Sequence, residues 1–313
     1  MSQPTVMTVR GPLPAGELGF TQTHEHLLLN VEWIDTRFSL DGILDDEALA
    51  IEELGAYAAA GGRSIVDLTN VGLRRNPEGV RRISEATGVQ VVLGCGWYRQ
   101  PYYPAEALID RTSTDALAER LIHEIEHGLD DTDVRPGIIG EIGSHKEYVS
   151  AQEERVFRAA GRAAARTGLA VSTHSAASPV GLEHVRIVCE EGADPARVAI
   201  GHSDSYPFIE YHEALLRSGA YVQFDNIGYR MPLVASLESR LIPVMVELIR
   251  RGWAERLLLS QDVCHRSHLK AYGGNGYDYI LVCFLSRLRE AGVAEEAIQL
   301  MTVDNPRRLL AGQ

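Results

Sequence analysis

The 313-residue chain carries only four cysteines, Cys95, Cys189, Cys264 and Cys283, and none form a CxxC pair or a tight cluster. That fits a reducing cytoplasm better than a disulfide scaffold. Positive charge is also scarce. Thirty Lys and Arg stand against 43 Asp and Glu, a formal charge of −13. Such a balance argues against nucleic acid or anionic lipid as partner, since both select basic patches. No apolar run is long enough to span a bilayer. The opening MSQPTVMTVRGPLPAG lacks the basic start and apolar core of a signal peptide, so a cytoplasmic protein without membrane contact is expected. Low-complexity segments and linkers are missing too. The loop NVGLRRNPEG (70–79) contains glycine but not the lysine and serine of a phosphate-cradling loop.

Apolar residues make up 45% of the chain, enough for a large core. They recur in short runs of strand character: GFTQTHEH, SIVDLTN, VQVVLGCG, GIIGEIG, LAVSTHS, RVAIGHS, AYVQFDN and RLLLSQD. Helical stretches such as PEGVRRISEATG, TDALAERLIHEIEHG and AQEERVFRAAGRAAARTG lie between them, many ending in the glycine that commonly stops a helix. Eight strands alternating with helices imply an α/β fold: a (β/α)8 TIM barrel formed as one domain over residues 1–313. A doubly wound open sheet is the structural alternative.

Metal-ligand residue types sit at the ends of these runs: His24 and His26, Glu141, His174, His202 and Asp262. The C-terminal ends of barrel strands form the active-site face, so all six should converge there. Residues two apart on a strand share a face, so His24 and His26 can serve one ion. Two cations held ~3.5–4 Å apart need an anion between them, and Glu141, flanked by Gly140 and Gly143, is the carboxylate for that place. Imidazoles with carboxylates suit two divalent ions, Zn2+ first, with Mn2+, Co2+ or Fe2+ as alternatives. A second zinc string, His123–Glu–Ile–Glu–His127, falls in a charged amphipathic helix before the fourth strand. It reads as a solvated helix face far from the rim. Arg99, Arg230 and Arg266 follow barrel strands and are candidates to hold an anionic substrate group.

These motifs, from GELGFTQTHEHLL through VDLTNVGLRRNPEGVRRISEATGV, GCGWY, GIIGEIG, THS and GHSD to SQDVC, YGGNGY and DNPRRLL, run nearly end to end. In that order they resemble the phosphotriesterase-related family of the amidohydrolase superfamily. The resemblance implies a barrel with a binuclear metal centre and attack by water or hydroxide on an ester, lactone, amide or phosphoester. It implies that His24, His26 and Asp262 hold a buried ion, that His174 and His202 hold a more exposed one, and that Glu141 bridges. It also implies that Tyr98 faces the pocket. The phosphotriesterases and lactonases bridge with a carboxylated lysine. Glutamate in its place resembles a branch that includes an N-acetyltaurine amidase-like relative and needs no carbon dioxide to assemble. Asn226 beside Asp225 replaces the arginine of the lactonase branch, and no long acyl-covering loop is evident after Asp262.

The expected function is therefore hydrolysis of a small amide, ester or lactone by a metal-bridging hydroxide, with an anionic N-acyl amide ahead of a lactone. Asp262 is the expected catalytic proton carrier. Lactonase or phosphotriesterase activity is the alternative within the class. A barrel that binds a small ligand without turnover is the alternative outside it. The expected partner is a small-molecule substrate, and the expected assembly is a homodimer.

Overall fold

Each apolar run becomes one parallel strand, and the eight strands form one sheet. In the computed structural model, which describes residues 3–31, 40–175, 177–229 and 237–312, they are β1 (Thr21–Glu25), β2 (Ser64–Asp67), β3 (Gln90–Cys95), β4 (Ile138–Gly143), β5 (Val171–His174), β6 (Val198–Gly201), β7 (Tyr221–Phe224) and β8 (Leu257–Leu259). Neighbours in the sheet follow chain order from β1 to β8. The ladder leaves β8 and β1 unpaired as strands, but the chain closes the gap just beyond β8. Asp262 N donates to His24 O at 3.1 Å, and Ser260 Oγ accepts from His24 N at 2.8 Å. The expected barrel is thus observed, with its seam at the two ends of the chain.

Helices α1 (Glu47–Ala59), α2 (Pro77–Thr87), α3 (Thr114–His127), α4 (Ala151–Thr167), α5 (Gly181–Glu190), α6 (Ile209–Arg217) and α7 (Leu237–Arg250) fill the crossovers. Their starts follow the sequence. Ser150 and Glu153 form a reciprocal capping box at α4, and Asn76 with Pro77 opens α2. Gly88 and Gly168 stop α2 and α4 in the left-handed conformation that favours glycine. After β8 the chain is irregular, with wide helical turns at Ile280–Phe284 and Leu300–Asp304 before α8 (Leu285–Glu290) and α10 (Asn305–Ala311), with α9 (Glu295–Gln299) between them. Two short antiparallel hairpins, Thr5–Thr8 with Gly11–Pro14 and Leu29–Asn30 with Ile43–Leu44, lie outside the barrel.

Outward-facing strand residues pack on the helices in one large apolar cluster. Val66, Val92, Ile138, Ala170, Ala199 and Leu258 belong to a second cluster, with Leu309 and Leu310. Among the described residues no helix is long and apolar enough to cross a membrane.

Candidate metal centre

All six sequence-derived ligand candidates meet at the C-terminal end of the barrel, and all are buried. His24 and Glu141 lie within β1 and β4, His26 lies one residue past β1, and His174 ends β5. His202 follows β6 directly and Asp262 lies three residues past β8, both in the left-handed region, with φ of 54° and 48°. Residues other than glycine rarely adopt that conformation, and such backbone collects at functional sites. Two glycines make room. A Cβ on Gly143 would come within 2.5 Å of the His174 Cβ, and one on Gly201 within 2.4 Å of Thr173 O.

Glu141 sits between two groups of imidazoles. Its Oε1 is 3.5 Å from His26 Nε2. Its Oε2 is 3.0 Å from His174 Nδ1, 3.6 Å from His24 Nε2 and 3.7 Å from His202 Nε2. Asp262 Oδ1 approaches His26 Nε2 at 3.2 Å and His24 Nε2 at 3.7 Å. Three overlapping triads have donor atoms all within 4.8 Å of one another: His24–His26–Glu141, His24–His202–Asp262 and Glu141–His174–His202. The fit to cations is direct. His24 Nε2 and Asp262 Oδ1 are buried, point into this space and have no hydrogen-bond partner. Buried polar atoms are rarely left so, unless an ion or water completes them.

The other ring nitrogens are fixed from behind. Asp225, one residue past β7, accepts His24 Nδ1 and His202 Nδ1, each at 2.8 Å, and also the His202 backbone N–H at 2.9 Å. Gln223 Nε2 donates to the same carboxylate at 2.9 Å. With its N–H facing Asp225, each histidine turns its Nε2 lone pair toward the centre. His26 Nδ1 is set by Thr69 Oγ1 at 2.9 Å. Asp67, at the end of β2, and Asp204, just after β6, do other work. Asp67 accepts Leu27 N and Thr69 N, and Asp204 accepts Asn226.

Glu25, between the two histidines of β1, went unremarked in the sequence. Its buried carboxylate accepts Ser260 Oγ and Gln261 N, each at 2.7 Å, and Val263 N at 3.0 Å. It therefore clamps the backbone on both sides of Asp262. The alternation that aims His24 and His26 inward, which drew notice to the pair, sends Glu25 to the opposite face.

At Glu141 and Asp262 the surroundings favour the ionised carboxylate. Burial alone would raise Glu141, but the His24 charge and the His174 hydrogen bond pull it well below the ordinary carboxylate range. Asp262 is lowered in the same way, burial being outweighed by His26, His24 and His202. Burial opposes charge on His26 and His202 too, yet Asp262 and Glu141 raise His26 to about 9, and Asp225 and Glu141 raise His202 to about 10. His174 is pushed down to about 3 by burial, His202 and Arg99. A cation entering this site must displace protons from imidazole, so affinity falls with pH.

The remaining candidates divide. Tyr98 is buried with its hydroxyl 3.3 Å from His174 Nδ1, at the centre's edge. Arg99 lies over the Tyr98 ring, 4.4 Å from its centroid, and has a buried Nε without partner. Arg266 is already engaged, donating to Ile43 O at 2.7 Å and pairing with Asp45 at 3.0 Å. The turn after Cys264 docks on the Ile43–Leu44 hairpin. Arg230 lies outside the described residues. His123 and His127 stack on the exposed face of α3, 4.4 Å apart, outside the barrel.

Comparison with known proteins accords with this geometry. The model of the phosphotriesterase family matches residues 4–310. The chain belongs to the phosphotriesterase family. It is 34% identical to the phosphotriesterase homology protein of Escherichia coli over 92% of this chain and 96% of that one. The crystal structure of that protein, with phosphate in its active site, superposes with a TM-score of 0.89, covering 94% of this chain and 99% of that one. An N-acetyltaurine hydrolase of Tetraodon nigroviridis is 29% identical over 97% of both chains. A lactonase of Listeria monocytogenes is 28% identical, with a TM-score of 0.91 and 99% of both chains covered. The chain is thus an enzyme of the phosphotriesterase-related, metal-dependent hydrolase type.

Proposed function

We propose that this enzyme holds two divalent cations, Zn2+ in the first instance, between His24, His26, Glu141, His174, His202 and Asp262, and hydrolyses a small anionic N-acyl amide. The observation that carries the reading is Glu141, whose two oxygens face His26 on one side and His174 on the other. Ions held there would supply a water acidic enough to ionise near neutral pH and a Lewis acid for the scissile carbonyl oxygen. The protein's own groups do the rest. Asp225 keeps the Nδ1 protons of His24 and His202 in place and so fixes both rings. Asp262, kept anionic by His26, His24 and His202, takes the proton of the attacking water and passes it to the leaving nitrogen. Glu25 holds the turn that aims Asp262. Tyr98 places its hydroxyl beside His174, in reach of a substrate oxygen. Arg99, half-buried against Tyr98 and Tyr102, offers a cation to an acidic tail.

The preference for an amide is supported by glutamate at the bridging position and by likeness to the Tetraodon N-acetyltaurine hydrolase. Lactone hydrolysis is the second reading, on the likeness to the Listeria lactonase. The test is turnover by the metal-loaded enzyme of N-acetyltaurine, N-acyl amino acids, lactones and aryl phosphotriesters. The amide reading predicts highest kcat/KM on an anionic N-acyl compound. It fails if neutral lactones or phosphotriesters are cleaved orders of magnitude faster than every such amide.

A further inference from the structure

At the opposite end of the barrel, three adjacent strands begin beside one cavity of about 330 Å3. Arg197 immediately precedes β6, Tyr221 opens β7 and Arg256 immediately precedes β8. Arg308 and Gly312, at the end of α10, form its far wall. In a chain of net charge −13, three arginines here line one space. Many other arginines are held by carboxylates, as Arg158 is by Glu191 and Arg162 by Asp115, though Arg10, Arg120 and Arg155 bond to backbone carbonyls instead. Arg197, Arg256 and Arg308 have no carboxylate partner among the described residues. Arg256 lies over the Tyr221 ring, 4.9 Å from its centroid, and Arg308 reaches only Asn305. Arg197 Nη2 donates to Gly168 O at 2.8 Å and Leu310 O at 3.2 Å, while its buried Nε has no partner. Burial lowers the Arg197 pKa despite Asp194 and Tyr221 nearby. Asp194 and Glu255 also line the cavity, but Asp194 caps Ala196 N, and the balance is three cations to two anions.

A partly buried cation with an unsatisfied donor is costly unless an anion completes it. Guanidinium groups match phosphate oxygens in geometry. We propose that this cavity at the base of the barrel binds a phosphate group, free or carried by a small metabolite, between Arg197, Arg256 and Arg308. It is separated from the metal centre by the length of the barrel.

The test is equilibrium dialysis of labelled inorganic phosphate against the metal-loaded enzyme at constant ionic strength. Wild type is compared with the double variant Arg256→Gln/Arg308→Gln and with Arg308→Gln alone. Glycerol phosphate in a parallel arm distinguishes free phosphate from the phosphate group of a larger molecule. Phosphate occupies the active site of the related Escherichia coli protein, so two sites are expected in wild type. Losing charge-assisted bonds at the base should weaken one of them about tenfold or more. The single variant should show a smaller loss, which keeps the test usable if the double variant does not fold. kcat/KM should change less than about twofold, since no group of the metal centre is altered. Equal stoichiometry and affinity in wild type and both variants would overturn the proposal. So would loss of all phosphate binding in Asp262→Asn with the three arginines intact.

Discussion

Replacing Asp225 by asparagine probes how the metal centre is held without touching a proposed ligand. The carboxylate takes the Nδ1 protons of His24 and His202, both at 2.8 Å; these rings share the triad with Asp262, and each also belongs to one of the other two triads. An amide of the same size keeps one oxygen and turns an NH2 toward the other N–H donor. At least one charge-assisted bond, worth about 1.5–3 kcal/mol, is lost. Each 1.4 kcal/mol is tenfold in an equilibrium constant, so one cation site should weaken about 10- to 100-fold. The typical cost of removing an outer partner of a metal-bound histidine falls in the same range, ~10–100-fold. The other site should weaken less, because the surviving oxygen still accepts from one ring. Competition with a chelator of known affinity, followed by metal analysis, measures both constants. The fold should survive, since Gln223 and Asn226 still pack around the side chain. If Asp225→Asn binds both cations within about threefold of wild type, the reasoning is wrong.

Other outcomes follow from the same geometry. Changing His123 and His127 together to alanine should leave metal content and kcat unchanged, because both lie on the solvent face of α3; loss of zinc in that variant would show the helix motif to be a ligand pair. Reconstitution of metal-free enzyme should proceed equally with and without bicarbonate if Glu141 is the bridge, as proposed; a strong bicarbonate requirement would point to a carboxylated lysine instead. His184 is a core histidine, stacked on Phe157 and bonded to Ser144, and burial pushes its pKa down to about 3 from an ordinary 6.5. The unfolded chain therefore binds the extra proton first, so this contribution is complete above pH 6.5 and is lost as pH falls toward 3. His184→Asn should flatten the fall of the urea midpoint across that window, and an unchanged slope would contradict it.

Much of the site was legible because barrel strands end where chemistry is done. Each of the six proposed ligands closes an apolar run, and β order brings them to one rim without further information. Asp225 also closes such a run, in AYVQFDN, yet its role depends on which ring nitrogen faces it, and sequence carries no such record. Glu25 was hidden by the histidines on either side, which drew the reading to one face of β1. A residue following a strand is on the functional face only if its turn stays there, and for Arg266 the sequence does not record the turn. Here the turn after Cys264 folds back onto Ile43 and Asp45. The extent of β8 was also overestimated. Its ladder stops at Leu259, and Ser260, Gln261 and Asp262 instead bond to His24 and the Glu25 carboxylate across the seam.

The central claim is that Glu141 joins two cations into one hydrolytic centre. Metal stoichiometry of the purified, zinc-loaded protein, measured alongside turnover for wild type and Glu141→Ala, addresses it directly. The account predicts two ions per chain in wild type, no more than one in the variant, and loss of nearly all turnover with the missing ion. Two ions and full activity in Glu141→Ala would contradict it.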